Sequence, residues 1–288
     1  LWSRGLGDVY KRQDQRSRTN ESVLEEVDQL VASGTKEIVL IAQDLASWGL
    51  DRRAEGDALE VLDLGAEGPR QPLVRLVEEV AERAERVRLL YLYPSGLTES
   101  LIDAILATGL PYFDLSLQHA SAPHLRRMRR WGNAERFLER IAAIRSRAPE
   151  ATFRSSFILG YPGETEADHD ALLRFLEDAQ LDWAGFFPFS PEEGTLAATM
   201  EGQVDPQLAL ERLAEVSALQ DEITLSKRSA LVGQTLSVLI DSPGVGRSVH
   251  EAPEIDGIIE VPEHLEPGTT HRIRIDDALA FDLAGELA

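Results

Sequence analysis

Short apolar runs alternate with amphipathic stretches along the first 230 residues, and this alternation constrains the fold more than any other feature. Runs at 38–42, 87–92, 112–117, 152–159 and 183–189 read as strands, the first continuously apolar as in a strand covered on both faces. Helical spacing falls between them. Val23, Val27, Leu30 and Val31 repeat with a helical period, with Asn20 or Ser22 as possible caps and Gly34 just past the end. Further helices are expected over 73–84, 98–107 (stopped by Gly109 and Pro111), near 124–130, over 135–147, after Thr165 and over 206–229. Thr165 and Asp168 have the spacing of a helix cap, and Leu172, Phe175, Leu176 and Ala179 share that helix's inner face. Regular βα alternation predicts a parallel sheet, open or rolled into a barrel.

After Leu231 the pattern changes. Four short strand-like runs, at 235–240, 257–261, 272–275 and 281–283, are separated by Gly, Pro and Asp turns with no helix between them. Such a segment predicts a small all-β, OB-like barrel, with the domain boundary near residue 230. Residues 1–13 have neither period and read as a non-native leader, while 55–70, rich in Gly, Glu and Asp, read as a surface insertion.

The chain has 29 basic and 50 acidic residues, a formal charge of −21, and no cysteine. Disulfides, thiolate metal sites and cysteine nucleophiles are therefore excluded within it. Such a charge repels nucleic acid unless basic residues cluster locally, and it attracts a basic partner. No apolar run approaches the ~18 residues of a membrane span and no signal peptide is visible, so a cytoplasmic location is expected.

Candidate chemistry gathers at the carboxyl ends of the strands, where α/β barrels place their ligands. Those ends are Gln43-Asp44, Tyr93-Pro94-Ser95, Gln118-His119, the stretch from Gly160 to Thr165, and Phe189-Ser190. Side chains alternate along a strand, so Asp114, Ser116 and Gln118 share one face and Phe113, Leu115 and Leu117 the other; Arg154 and Ser156 likewise oppose Phe153 and Phe157. Two strands with a polar face suggest a lumen holding a polar ligand. Gly160-Tyr161-Pro162-Gly163 lacks the lysine of a phosphate loop, and its glycines suit close approach of backbone to a flat or apolar group. No nucleophile elbow and no metal-spaced histidine pair occurs, so no catalytic or metal-binding residue is assigned.

Taken in order, Gln43-Asp44, Leu117-Gln118-His119-Ala120, Met128-Arg129-Arg130, the run from Phe157 to Thr165, the run from Phe189 to Thr195, and Gly246-Arg247-Ser248 resemble the radical S-adenosylmethionine methylthiotransferases. Ala252-Pro253-Glu254-Ile255-Asp256-Gly257 is most similar to the RimO type, which methylthiolates an aspartate of a small-subunit ribosomal protein. The resemblance covers residues 16 to 288. It implies an α/β fold: a partial (β/α)6 TIM-like barrel lacking its first strand over 16–230, then a TRAM β-barrel over 231–288. It also implies two 4Fe-4S clusters, an electron-donor protein, and a basic ribosomal protein as substrate. The three-cysteine loop that would hold one cluster belongs just upstream of this sequence, so an N-terminally truncated chain without turnover is expected. For S-adenosylmethionine the expected lining is Gln43, Ser95, Gln118, Arg154 and Ser190, with Arg154 toward a carboxylate or ribose hydroxyl and Ile158 and Gly160 against the adenine.

Residues 231–288 hold 3 basic and 11 acidic side chains, a net of −8, which suits a basic protein better than tRNA. Alternative readings are a tRNA methylthiotransferase, a non-catalytic barrel with a partner-binding OB-like tail, and an acid/base lyase using His119, Asp114 or Glu164.

Overall fold

The computed structural model describes residues 16–54, 64–65, 68–69 and 71–288. The leader expected over 1–13 and most of the insertion expected over 55–70 lie outside the described residues. Five parallel strands follow one another in space as in sequence: β1 (Glu37–Leu40), β2 (Arg86–Leu89), β3 (Tyr112–Gln118), β4 (Thr152–Leu159) and β5 (Trp183–Pro188). The bridge Leu92↔Leu115 joins β2 to β3, with Leu92 N–H donating to the Asp114 carbonyl at 2.9 Å.

Helices α1 (Asn20–Ala32), α2 (Leu50–Ala54), α3 (Pro72–Ala81), α4 (Glu99–Ala107), α5 (Ala122–Arg127), α6 (Ala134–Arg147), α7 (Glu166–Ala179) and α8 (Pro206–Ser229) fill the connections. Thr19, not Asn20 or Ser22, caps α1: its extended backbone lets Oγ1 accept from Ser22 N–H at 3.1 Å, whereas the Asn20 amide reaches Glu79. The cap expected at Thr165 forms in full, as a capping box with Asp168. Among the described residues no helix is long and apolar enough to cross a membrane.

The helices bury one face of the sheet. Phe113 stacks on Phe153 at 5.4 Å between centroids, and Phe157 meets Phe175 of α7 at 6.2 Å. Leu172, Leu176 and Ala179 of α7 join them in the main core, each such side chain contributing about 1.5–3 kcal/mol where fully buried and large.

Helix α8 ends at Ser229 and a second layer begins at Thr235. There β6 (Thr235–Ser242), β7 (Val245–Arg247), β8 (Ile259–Glu260), β9 (Thr270–Leu279) and β10 (Asp282–Leu287) close into a barrel in the order β8-β10-β9-β6-β7. Its own core is Val238, Ile240, Ile259, Ile273, Ile275 and Leu283 with neighbours. Strand β7 is absent from the sequence expectation because Val245, Gly246 and Arg247 make no apolar run. The ladder from β6 and the turn at Gly244, φ 83°, hold it in place.

Candidate functional site

The face of the parallel sheet away from the helices is polar, and its amino-terminal half is covered by the second barrel. The segment following β7 lies across it. Glu37 of β1 joins Arg88 Nε at 2.7 Å to Arg247 Nη1 at 3.0 Å, and Arg247 also holds Asp241 at 2.6 Å. Arg86 donates to the carbonyls of Arg247 and Ser237 at 3.0 and 3.2 Å, and Arg88 to Val249 O at 3.2 Å. Burial alone would raise the Glu37 carboxyl, but Arg88 and Arg247 outweigh it and hold it below its ordinary value. Trp183 Nε1 donates to His250 O at 2.8 Å, and Thr152 Oγ1 meets His250 Nδ1 at 2.8 Å. Leu90, Tyr112 and Ala252 fill the space between, with Val39, Trp183 and Ile255 packed against them.

Asp256 closes this floor at its centre. Its carboxylate accepts from Tyr112 Oη at 2.5 Å, Ala252 N–H at 2.8 Å and Arg154 Nε at 3.2 Å. Arg154 Nη1 also lies 3.8 Å from Asp114, whose other oxygen accepts Tyr91 N–H at 3.0 Å. Burial pushes Asp256 up to about 6 despite these hydrogen bonds, and raises Asp114 as well. The same burial, with Asp256 alongside, holds the Tyr112 hydroxyl well above its ordinary value.

The carboxyl-terminal half of the face is open. Ser116, Gln118, Ser156 and Ile158 are half-buried there, and the inward chain turns sharply at Gln118, which adopts φ 69° after a bulge between Leu115 and Gln118. Buried side chains brace this turn. His119 Nδ1 accepts Ser121 N–H at 3.0 Å, and Ser121 Oγ bonds Asp168 of the α7 cap. Glu164 accepts Gly160 N–H at 2.6 Å and pairs with Arg212 of α8 at 2.9 Å. Burial lowers His119 to about 3 and His124 to about 4, so both rings are neutral. Donor atoms of His119, His124 and Glu164 lie within 4.8 Å of one another. The Ser121 contact nevertheless puts the His119 proton on Nε2, the atom an ion would need bare.

Of the expected lining, Gln43, Ser95, Gln118 and Ser190 stand at the carboxyl ends of β1, β2, β3 and β5, with Gln43, Ser95 and Ser190 exposed. Gln118 and Ile158 occupy neighbouring strands, Gln118 pairing with Phe157. Gly160 is buried at φ 76°, and a Cβ there would sit 2.6 Å from Ala209 of α8, so its close approach is to a helix. Arg154 is the third residue of β4, near the amino end and held by two carboxylates. Sequence reasoning put Asp114 and Arg154 on this face but gave no site role to the rest of the floor: Glu37, Arg86, Arg88, Tyr112, Arg247, Glu251 and Asp256. One signal was available, since two arginines in the strand Arg86-Val87-Arg88-Leu89 cannot be buried without partners.

A profile of the Radical SAM superfamily matches residues 5–176, and a TRAM domain profile matches 232–288. The chain is 42% identical over 277 residues to the ribosomal protein uS12 methylthiotransferase RimO of Moorella thermoacetica, covering 94% of this chain and 61% of that one. With the protein of the same name from Histophilus somni it shares 39% over 286 residues, covering 96% and 64%. The chain thus spans about three-fifths of the length of these curated relatives. Among solved structures, Elp3 of Methanocaldococcus infernus aligns at a TM-score of 0.40 and 17% identity, over 71% of this chain and 49% of that one. Methylornithine synthase (PylB) aligns at 0.43 and 16%, over 73% and 56%. The profile match spans more than half of the sequence and ends in α7 of the parallel-strand layer, so the chain belongs to the radical SAM superfamily, with a TRAM domain forming its closed carboxyl-terminal barrel.

Proposed function

We propose that this chain supplies the S-adenosylmethionine cradle and the substrate-facing module of an enzyme that methylthiolates an aspartate of a small-subunit ribosomal protein. One observation carries the reading: the polar inner face is covered at its amino end by the TRAM segment, while polar residues at its carboxyl rim stay accessible. In the proposal Gln118 and Ile158 face the adenosyl group, Gly160 fixes the loop beside them against α8, and Gln43, Ser95 and Ser190 border the entrance. Arg154 positions the floor through Asp256. The bound sulfonium compound supplies the methyl group.

The two iron–sulfur clusters of such enzymes do not fit the residues present. Their ligands are thiolates, the chain has no cysteine, and the tautomer at His119 keeps the His119–His124–Glu164 cluster, found among the described residues, from standing in. We therefore derive no step through a cluster, and the polypeptide alone is proposed to lack turnover. An electron-donor protein is a further requirement of the whole enzyme.

The substrate proposal rests on charge. Eight carboxylates of the TRAM barrel are exposed, Asp241, Glu254, Glu260, Glu263, Glu266, Asp276, Asp277 and Glu286, and attract a lysine- and arginine-rich protein. A tRNA-binding barrel would need a basic stripe there. Titration with purified uS12-type protein at 50 and 300 mM salt tests this. Glu260→Lys/Glu263→Lys/Glu266→Lys is expected to weaken binding at least tenfold at low salt, and an unchanged affinity would remove the proposal. For the cradle, Gln118→Ala is expected to weaken S-adenosylmethionine binding in calorimetry; equal affinity would exclude the lumen.

A further inference from the structure

Among the described residues the acidic chain carries a dense basic patch. Arg126, Arg127, Arg129 and Arg130 fall within five residues at the end of α5, and Arg136 and Arg140 follow on α6. Arginines elsewhere are mostly ion-paired, as Arg75, Arg83, Arg88, Arg145, Arg147, Arg154, Arg212, Arg228 and Arg247 are. Within the patch Arg140 pairs with Glu99 at 2.7 Å. Among the described residues Arg126, Arg127, Arg129 and Arg136 have none within ion-pair distance, although the chain carries 50 acidic side chains to choose from.

Aromatic rings lie among these cations. Trp131 is 39% exposed, and Arg136 Cζ lies 5.6 Å from its ring centre. Arg130 lies 5.0 Å over Tyr93, and Tyr161 Oη donates to the Arg127 carbonyl at 3.4 Å. The patch is therefore built into the carboxyl rim, between the loop after β2 and the loop after β4. Its backbone is fixed: Arg129 adopts φ 56°, Gly132 φ 111° against Phe137, and Arg127 donates to Gly163 O. Guanidinium groups of Arg126, Arg127, Arg129 and Arg136 without carboxylate partners, beside the exposed Trp131 ring, match the phosphates and a base of a single-stranded polynucleotide. An acidic peptide would use the charges but leave Trp131 without a role.

We propose that the rim formed by Arg126, Arg127, Arg129, Trp131 and Arg136 binds a single-stranded RNA segment through its phosphates and a stacked base. This site is on the barrel rim, remote in sequence from the TRAM domain, and does not rest on the function proposed above. At physiological salt the screening length of about 8 Å lets this local charge act despite the net charge of the whole chain.

The test is fluorescence anisotropy of a labelled 12-nucleotide uridine oligomer with the full chain between 50 and 300 mM salt. Each neutralised phosphate contributes about −0.7 to the slope of log affinity against log salt, so three to four arginines predict about −2 to −3. Arg126→Gln/Arg129→Gln is expected to make the slope shallower by about 1.4 and to weaken binding at least tenfold at 100 mM, and Trp131→Ala to weaken it without changing the slope. These side chains are on the surface, so circular dichroism should be unchanged in every variant. No binding at 100 mM salt, equal binding by the double variant, or equal displacement by polyglutamate of matched charge overturns the proposal, the last in favour of an acidic protein.

Discussion

Asp256 offers the sharpest test of the floor. Its side chain is fully out of solvent and accepts hydrogen bonds from Tyr112, Ala252 and Arg154. Burial nevertheless pushes its pKa up to about 6, from 3.8 in an unperturbed chain. Between those two values the native state holds a proton that the unfolded chain has released, so this group makes stability fall as pH rises from about 4 to about 6. A shift of about two pK units corresponds to about 3 kcal/mol. Glu37 and Glu251, lowered by Arg88 with Arg247 and by Arg228 respectively, act in the opposite direction, and their titrations cancel when wild type is compared with Asp256→Asn. Urea unfolding of both proteins at pH 4, 5, 6 and 7 reads the effect. The stability of wild type minus that of the variant should fall by roughly 2–2.5 kcal/mol from pH 4 to pH 7, mostly before pH 6. Parallel curves would show that Asp256 does not titrate abnormally. A difference that grows with pH would mean that Arg154 outweighs burial, and the reasoning would be refuted.

Other perturbations separate the remaining contributions. Glu37→Gln leaves Arg88 and Arg247 without their shared carboxylate and should cost about 3–5 kcal/mol at pH 7 by urea unfolding. Because Glu37 is held below its ordinary value, that cost should shrink as the solution is acidified below about pH 4.5. Gly160→Ala and Gly109→Ala both force alanine into positive φ, at about 1–2 kcal/mol each. Only the former meets Ala209, so its thermal midpoint should drop further; equal drops would show that α8 yields freely. Thr165→Ala removes the capping box of α7 and should destabilise by about 1 kcal/mol in the same assay.

Local signals in the sequence were sufficient for the parallel strands, the helix faces and the Thr165 cap, because each depends on residues a few positions apart. The polar faces of β3 and β4 were legible for the same reason: alternation put Asp114, Ser116 and Gln118, and Arg154 with Ser156, on one side. What those faces meet was not. Arg86 lies 161 residues from Arg247 and Tyr112 lies 144 from Asp256, and no period or motif encodes such pairings. Arg154 therefore read as a ligand residue, although its position near the start of β4 puts it in the floor. The bulge before Gln118 and the strand at β7 also escaped, since both are imposed by neighbouring strands.

The central claim is that a ligand enters the lumen from the carboxyl rim while the TRAM segment seals the other end. Backbone hydrogen exchange with and without S-adenosylmethionine tests it directly. The account predicts slower exchange at 116–119 and 156–161 on adding the compound, with 248–256 unchanged. Protection confined to 248–256, with the rim unaffected, would contradict it.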